Sequence, residues 1–212
     1  TRILKGVFTV YRNECGENNV YLATRIMEAD PYRDAFGSFG GVPFGKMKEG
    51  AFVYFDSPVN PSIAQVNENR NPIARSCPEF SRQVLLIRPY PGLDYRFINL
   101  NIKPAAVLHY LYHSATACTV GKGESLPAFI ERCCEEQIPV YTASYKNVQG
   151  KNYVTAGAVL EKGAVPMQNI SPEAAYAKLI LLYNTNGDIK KKIDQSIFFE
   201  TIPVIPELES AI

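Results

Sequence analysis

Residues 105–145, AAVLHYLYHSATACTVGKGESLPAFIERCCEEQIPVYTASY, combine the patterns of two buried strands with that of one amphipathic helix. Residues 105–114 and 138–145 are short apolar runs that are typical of strands. The residues that recur between them at the spacing of one helix face are Leu126, Phe129, Ile130, Cys133 and Cys134. Apolar strands that alternate with helices are typical of a parallel sheet covered on both faces. The stretch therefore predicts an α/β fold in which a Rossmann-like parallel sheet is layered with helices.

The same alternation continues on both sides of this stretch. Upstream, residues 83–90 form another continuous apolar run that predicts a strand. Downstream, the sequence predicts a short helix over 153–163 that ends at Gly163. It predicts a second helix over 171–184, with Ser171 as its N-cap. A last amphipathic helix is indicated by three isoleucines four residues apart, Ile189, Ile193 and Ile197.

The amino-terminal part of the chain has a different pattern. Residues 6–11 and 19–25 are rich in β-branched and aromatic residues and flank a turn-forming segment, which predicts a β-hairpin. Residues 51–55 predict another short strand. The glycine-rich residues 34–50 are predicted to be irregular. This part is therefore predicted to be a β-hairpin-containing segment that precedes the α/β region.

A long segment dense in proline, asparagine and serine separates the two patterns, over residues 56–82. We therefore predict an amino-terminal domain end over 1–60, a linker over 61–82 and a carboxyl-terminal α/β domain over 83–212. The chain starts with Thr1 and almost at once enters a predicted strand. It is expected to be the later part of a longer protein.

Composition narrows the classes of function. The 212 residues are 46% apolar and carry a net charge of +1, without the basic blocks that a phosphate backbone attracts. Nucleic acid is therefore not expected as a partner. No apolar run approaches the roughly 20 residues of a membrane helix, so no membrane is expected either. Five cysteines without CxxC spacing indicate a reducing compartment, and we predict a cytoplasmic protein.

Residues 112–125, YHSATACTVGKGES, join a predicted strand to a predicted helix. Their glycines and lysine lack the spacing of a Walker-type phosphate loop. No GxSxG turn surrounds Ser114, which argues against a serine nucleophile. Open α/β sheets bind ligands at the carboxyl ends of their strands, so Ser114 and Thr116 are candidate ligand-binding residues. The alternative is a polar loop whose hydroxyl groups bond only to the local backbone.

The two histidines of the chain, His109 and His113, lie four residues apart. On a strand this spacing places them on one face at about 13 Å, too far for one metal ion to bridge. Packed or hydrogen-bonded sheet residues are the simpler interpretation. We expect no metal site and no cofactor.

Several motifs in order resemble the bacterial-type asparaginase and glutaminase family. The strand–loop–helix unit followed by IPVYTAS resembles the carboxyl-terminal domain of that family, as does Tyr153 with Gly163 ten residues on. ISPEAAYAKL, over 170–179, stands in place of the family pattern MTPEAAxxKL and is the most specific match. Upstream, residues 34–38 (DAFGS) resemble a stretch near the end of the family's amino-terminal domain, which implies that the first part of the chain is the β-hairpin-containing remnant of an amino-terminal α/β domain. The resemblance covers nearly the whole chain.

The resemblance implies hydrolysis of the side-chain amide of Asn or Gln by a threonine nucleophile, with release of ammonia and then of the acid. The GGT and TDT motifs that carry this chemistry do not occur here, so the nucleophile is expected upstream and this chain alone is expected to be inactive. Met27 stands where the family has a lysine that helps to activate a threonine, and Arg25 is a weak candidate for that catalytic role. Where the family has Gly-x-Gly-Asn, reaching towards a neighbouring subunit's active site, this chain has Ser114-Ala-Thr116-Ala.

Three hypotheses follow. The first is the later segment of an asparaginase/glutaminase-like amidohydrolase that works as a homodimer or homotetramer and binds Asn, Asp, Gln or Glu. The second is a non-catalytic protein of the same fold that binds an acidic amino acid or acts as an assembly subunit, which the substitution by Met27 favours. The third is the glutaminase subunit of a transfer-RNA amidotransferase, with a partner protein that receives ammonia.

Overall fold

The computed structural model describes residues 4–30, 32–68, 79–112, 115–144, 154–185 and 188–203. The chain forms two compact units, of which one contains residues 1–73 and 196–212 and the other residues 74–195. The last segment therefore belongs to the first unit, whereas the sequence prediction placed it in the carboxyl-terminal domain. The predicted linker over 61–82 stays a prediction.

The first unit is built on antiparallel strands. Its elements are β1 (Phe8–Arg12), β2 (Asn18–Leu22), β3 (Ile26–Asp30), β4 (Ala35–Ser38), β5 (Gly45–Lys48), β6 (Ala51–Tyr54) and α1 (Ile63–Asn67). One sheet has the order β1-β2-β5-β6, and β3 pairs with β4 in a second. The predicted hairpin is confirmed, since Val10 lies opposite Val20 in the pair of β1 and β2.

The prediction of an irregular segment over 34–50 is wrong, because β4 and β5 lie inside it. Gly45 shows the physical reason. A Cβ atom at Gly45 would lie 2.3 Å from the main-chain oxygen of Val53 on β6. The glycine therefore permits close strand pairing here, whereas glycine in a sequence ordinarily indicates a break.

The second unit has a parallel sheet of order β10-β9-β8-β7. Its elements are β7 (Val84–Ile87), a 3₁₀ helix (Tyr95–Phe97), β8 (Ala106–Tyr110), α2 (Leu126–Glu135), β9 (Val140–Ala143), α3 (Val154–Glu161), β10 (Val165–Pro166), α4 (Pro172–Tyr183) and α5 (Ile189–Ile193). Ser125 caps α2 and Ser171 caps α4, each by accepting a main-chain N–H. Both caps were predicted and are confirmed.

The core of this unit has two halves, one on each face of the sheet. Val107 and Val140 pack with Phe129 of α2 and Val159 of α3. The members of the other half include Leu108, Tyr110, Ala175 and Leu179. β8 is buried along its whole length, as a strand covered on both faces should be. The predicted α/β fold with helices on both faces of a parallel sheet is confirmed.

The predicted last helix is shorter than its isoleucine pattern indicates. α5 ends at Ile193, and Ile197 lies outside it in the first unit. The carboxylate of Glu200 accepts the main-chain N–H groups of Ile197 and Phe198 at 2.9 and 2.6 Å. A turn held by a buried carboxylate therefore replaces the helix that the four-residue spacing predicts.

Candidate functional site

The carboxyl ends of three strands meet at one edge of the parallel sheet. Ile87 of β7 lies beside His109 of β8, and Tyr110 lies beside Ala143 of β9. The residues that follow these positions share this edge, which we call the carboxyl edge. Ligands of open α/β sheets bind at such an edge.

A tight turn follows β8 at the carboxyl edge. The N–H of Leu111 still donates to Ala143 at 2.8 Å, but the N–H of Tyr112 turns inward and donates to the main-chain oxygen of Thr116 at 2.8 Å. Ala115 has a φ of 56°, a left-handed conformation that costs a residue with a side chain of the order of 1–3 kcal/mol. Strain of this kind is concentrated at ligand-binding segments, which marks the turn as a candidate site.

The two predicted ligand-binding residues differ in what the structure says of them. Ser114 lies outside the described residues, as does His113. Thr116 is half-buried, and its hydroxyl makes no hydrogen bond with the described part of the chain. Its main-chain oxygen accepts the N–H of Tyr112 in the turn.

A buried polar pair lies beneath this turn. The hydroxyl of Tyr95 lies 2.7 Å from Nε2 of His109, and His109 is fully buried. Burial lowers the pKa of His109 to about 4, against a smaller raising effect of the Tyr110 main chain, so the ring is neutral at pH 7. Nδ1 of His109 is buried and makes no hydrogen bond of standard geometry with the described residues. Burial likewise raises the pKa of Tyr95, so its hydroxyl keeps its proton, and the tautomer of His109 decides which of the two groups donates in this bond.

Tyr95 also joins three elements around the candidate site. Sequence reasoning missed this residue. Its N–H donates to Gly123 in the loop at 2.8 Å, and its ring stacks on Phe129 of α2 with centroids 4.8 Å apart. Its hydrogen bond with His109 connects it to β8 as well. Tyr95 lies in the turn-rich segment PYPGLDYRF, and no periodic pattern identifies it as a core residue.

Arg88 and Tyr110 add a second feature to the carboxyl edge. The Arg88 guanidinium lies over the Tyr110 ring, with its carbon 5.1 Å from the centroid. This cation–π contact orients the positive charge on a rigid ring. Arg88 and Thr116 thus follow two neighbouring strands, β7 and β8, that end at the carboxyl edge.

Arg25, the weak catalytic candidate, lies in the first unit and is 3% exposed. Its guanidinium donates to the main-chain oxygens of Val59, Phe199 and Thr201. Burial lowers its pKa to about 10, and the charge of Glu200 opposes that shift, so Arg25 is charged at pH 7. The guanidinium of Arg25 therefore holds the main chain of these three residues in place.

Met27 packs against the apolar cluster of Phe39, Val59 and Ile202. A thioether in such a cluster exchanges no proton.

Among the described residues, no group of three or more His, Cys, Asp or Glu side chains could hold a metal ion. No helix in the described part of the chain is long and apolar enough to span a membrane.

Two amidotransferase proteins resemble the chain in sequence, although no protein-family model matches it. The chain is 27% identical over 174 residues to the D-type subunit of glutamyl-tRNA(Gln) amidotransferase of Methanobrevibacter smithii, covering 78% of this chain and 37% of that protein. It is 26% identical over 168 residues to the protein of the same name from Pyrococcus horikoshii, covering 75% and 35%. The chain thus spans little more than a third of the length of these relatives.

Solved structures show the fold. The thermostable L-asparaginase from Thermococcus kodakarensis matches with a TM-score of 0.64 and 18% identity, covering 88% of this chain and 56% of that one. L-asparaginase I from Vibrio cholerae matches with a TM-score of 0.61 and 20% identity, covering 86% and 55%. The chain has the fold of the L-asparaginases, and its resemblance to the asparaginase and glutaminase family is thereby confirmed.

Proposed function

We propose that this chain is the later segment of an amidohydrolase that hydrolyses the side-chain amide of Asn or Gln to the acid and ammonia. The threonine nucleophile belongs to a part of the protein upstream of this chain. The chain supplies a ligand-binding corner at its carboxyl edge, and the complete protein works as a homodimer or homotetramer. This chain by itself does not turn over substrate.

The strained turn after β8 is the observation that carries the proposal. Ala115 lies in the left-handed region at a φ of 56°, and Tyr112 and Thr116 close the turn around it. In an asparaginase-like fold the turn stands where the family's Gly-x-Gly-Asn run is expected. Ser114 and Thr116 are proposed to contact the ligand there, in place of the family's asparagine.

In the proposed reaction the threonine hydroxyl adds to the amide carbon, and donors around the carbonyl oxygen stabilise the negative charge that develops. Collapse of this intermediate breaks the C–N bond and leaves an ester on the threonine, and the leaving NH2 group takes up the proton that the threonine hydroxyl gave up and departs as ammonia. Water then hydrolyses the ester and releases Asp or Glu. The chain described here contributes binding and orientation of the substrate, and no step requires Arg25.

The complete coding sequence provides the test. We expect the full-length protein to release ammonia from Asn or Gln above background, and the Ser114→Ala/Thr116→Ala variant to bind Asp more weakly with the same melting temperature. Failure to release ammonia from both Asn and Gln would contradict the enzyme proposal. Unchanged affinity in the double variant would reduce the turn to a structural element.

A second candidate function is a non-catalytic binding protein or assembly subunit of the same fold. It is favoured by Met27, which lies in an apolar cluster where the family has a lysine. Calorimetry distinguishes the two functions. Binding of Asp without hydrolysis of Asn would support this candidate, and efficient turnover would remove it.

A third candidate is favoured by the two curated relatives, which are both named as subunits of an amidotransferase. The protein would then release ammonia from Gln for a partner protein. The full-length protein would show little glutaminase activity alone and more with a partner and a glutamate-charged transfer RNA. Equal activity with and without them would argue against this candidate.

A further inference from the structure

A second concave surface lies at the opposite end of the parallel sheet, where β7 and β8 begin. It has a volume of about 650 Å³. Its walls also include residues before β8 and the end of α4, and it lies wholly within the second unit. We call it the amino-edge groove. Its polar and apolar lining includes Arg82, Gln83, Asn99, Ile102, Lys103 and Tyr183. Its volume is in the range of small-molecule sites, about 300–1,000 Å³.

Two cations lie at the starts of neighbouring strands in this groove. Val84 pairs with Ala106, and the N–H of Ala105 donates to Gln83 at 2.8 Å, so the strand pairing extends back to this point. Arg82 and Lys103 therefore precede adjacent strands, which are spaced about 4.8 Å apart. Both residues line the groove.

The wall that carries Arg82 is held in place by α4. The side-chain oxygen of Asn184 accepts the N–H of Arg82 at 2.9 Å, and its amide group donates to Arg82 at 2.9 Å and to Ile180 at 2.8 Å. The side chain of Asn184 thus bonds to both the main-chain N–H and the main-chain oxygen of Arg82. A ligand would meet a preorganised wall, which lowers the entropy cost of binding.

The two cations are not equivalent. Nζ of Lys103 lies 2.8 Å from the carboxylate of Glu136, so its charge is partly neutralised. Within the described residues the guanidinium of Arg82 has no ion-pair partner. A guanidinium binds a carboxylate through two parallel hydrogen bonds. Ile102 is 85% exposed and offers an apolar surface beside the charges.

We propose that the amino-edge groove binds a small organic carboxylate. The carboxylate pairs with Arg82, with Lys103 nearby, and the carbon chain of the ligand lies against Ile102. The site is at the other end of the strands from the carboxyl edge. The inference is therefore independent of the proposed amidohydrolase function.

Succinate is the probe that tests this inference, with inorganic phosphate as a second arm. In the chain labelled with ¹⁵N, succinate should shift the amide signals of Arg82, Gln83 and Lys103 at millimolar concentration. Arg82→Gln should weaken succinate about tenfold, as expected for loss of a charge-assisted pair. Lys48→Gln removes the same charge from an exposed site in the first unit and should leave the affinity unchanged.

Each outcome has a definite meaning. A phosphate that binds as tightly as succinate would replace the carboxylate assignment with a general oxyanion site and overturn the proposal. No shift with succinate, or equal weakening by Arg82→Gln and Lys48→Gln, would also overturn it. Thr116→Ala should leave succinate binding unchanged, so failure of this inference and failure of the proposed function can be told apart.

Discussion

Single residues carry much of the structural information about the candidate site, and Tyr95 is the clearest case. It joins β8, the loop before α2 and α2 itself through a hydroxyl, an N–H and a ring face. Both the donor and the acceptor of its bond to His109 are buried. A buried polar pair of this kind rigidifies its surroundings only when both partners are present.

Tyr95→Phe should therefore destabilise the second unit by about 1–3 kcal/mol, because Nε2 of His109 loses its partner in a dry environment. Urea unfolding followed by tyrosine fluorescence or circular dichroism would measure the change. Tyr90→Phe is the matched control, since Tyr90 is 58% exposed. Equal effects of the two changes would show that the buried hydrogen bond contributes nothing.

The neutral state of His109 predicts a dependence of stability on pH. Its pKa falls from the ordinary 6.5 to about 4 in the folded chain, so the unfolded chain binds the proton more tightly. The contribution of neutral His109 to the free energy of unfolding is complete above pH 6.5 and is lost as the pH falls from 6.5 towards 4. The full loss amounts to about 3 kcal/mol. The free energy of unfolding, measured across this range, should fall less steeply in His109→Gln; parallel curves would contradict the assignment.

Arg25 is predicted to act on stability and not on catalysis. Arg25→Met should destabilise the first unit by about 3–5 kcal/mol, because Glu200 would remain buried without its countercharge. Arg12→Met, at an exposed position, is the control and should change the stability little. The readout is the free energy of unfolding of the first unit. Loss of activity in the full-length protein with unchanged stability would instead restore the catalytic candidate.

At the scale of elements, the parallel sheet follows closely from the sequence, while the strands of the first unit follow only in part. β8 and β9 were predicted from short continuous apolar runs, and α2 and α4 from apolar residues at helical spacing after a serine cap. β5 was missed because glycine is ordinarily a sign of a turn, whereas Gly45 lies in a strand where the neighbouring strand leaves no room for a side chain. A close approach of two strands leaves no periodic signal.

Gly45→Ala should disrupt the pairing of β5 with β6. The added Cβ would meet the main-chain oxygen of Val53, which cannot move without breaking the sheet. We expect a loss of more than about 2 kcal/mol, in the range of severe overpacking. Gly157→Ala in α3, where the added atom meets nothing within 4 Å, should stabilise the chain by up to about 1 kcal/mol. Thermal unfolding of both variants compares the two effects.

At the scale of the whole molecule, the chain returns to the first unit after completing the second. Ile202 packs with Phe39 and Val59, and Phe199 packs with the cluster of Leu22 and Phe44. A single change in this last segment should therefore act on the first unit alone.

A chain that ends at Gln195 tests this arrangement. It should lose the dispersed amide signals of residues 4–68, because two apolar clusters lose Phe199 and Ile202 and Arg25 loses two of its three main-chain acceptors, while the signals of 79–195 persist. Hydrogen exchange would give the same result by region. Equal protection of residues 4–68 in both chains would show that the last segment is dispensable.

The sequence by itself determined the alternation of strands and helices and the capping residues, because each depends on local spacing, and its motifs carried the resemblance to asparaginases. It also identified the loop after β8 as a candidate site. Only the tertiary structure decided that Tyr95 pairs with His109, that Gly45 lies in a strand and that Arg25 holds the last segment. Arg25 and Phe199 are 174 residues apart, and a contact at that separation depends on burial and charge that no local pattern records.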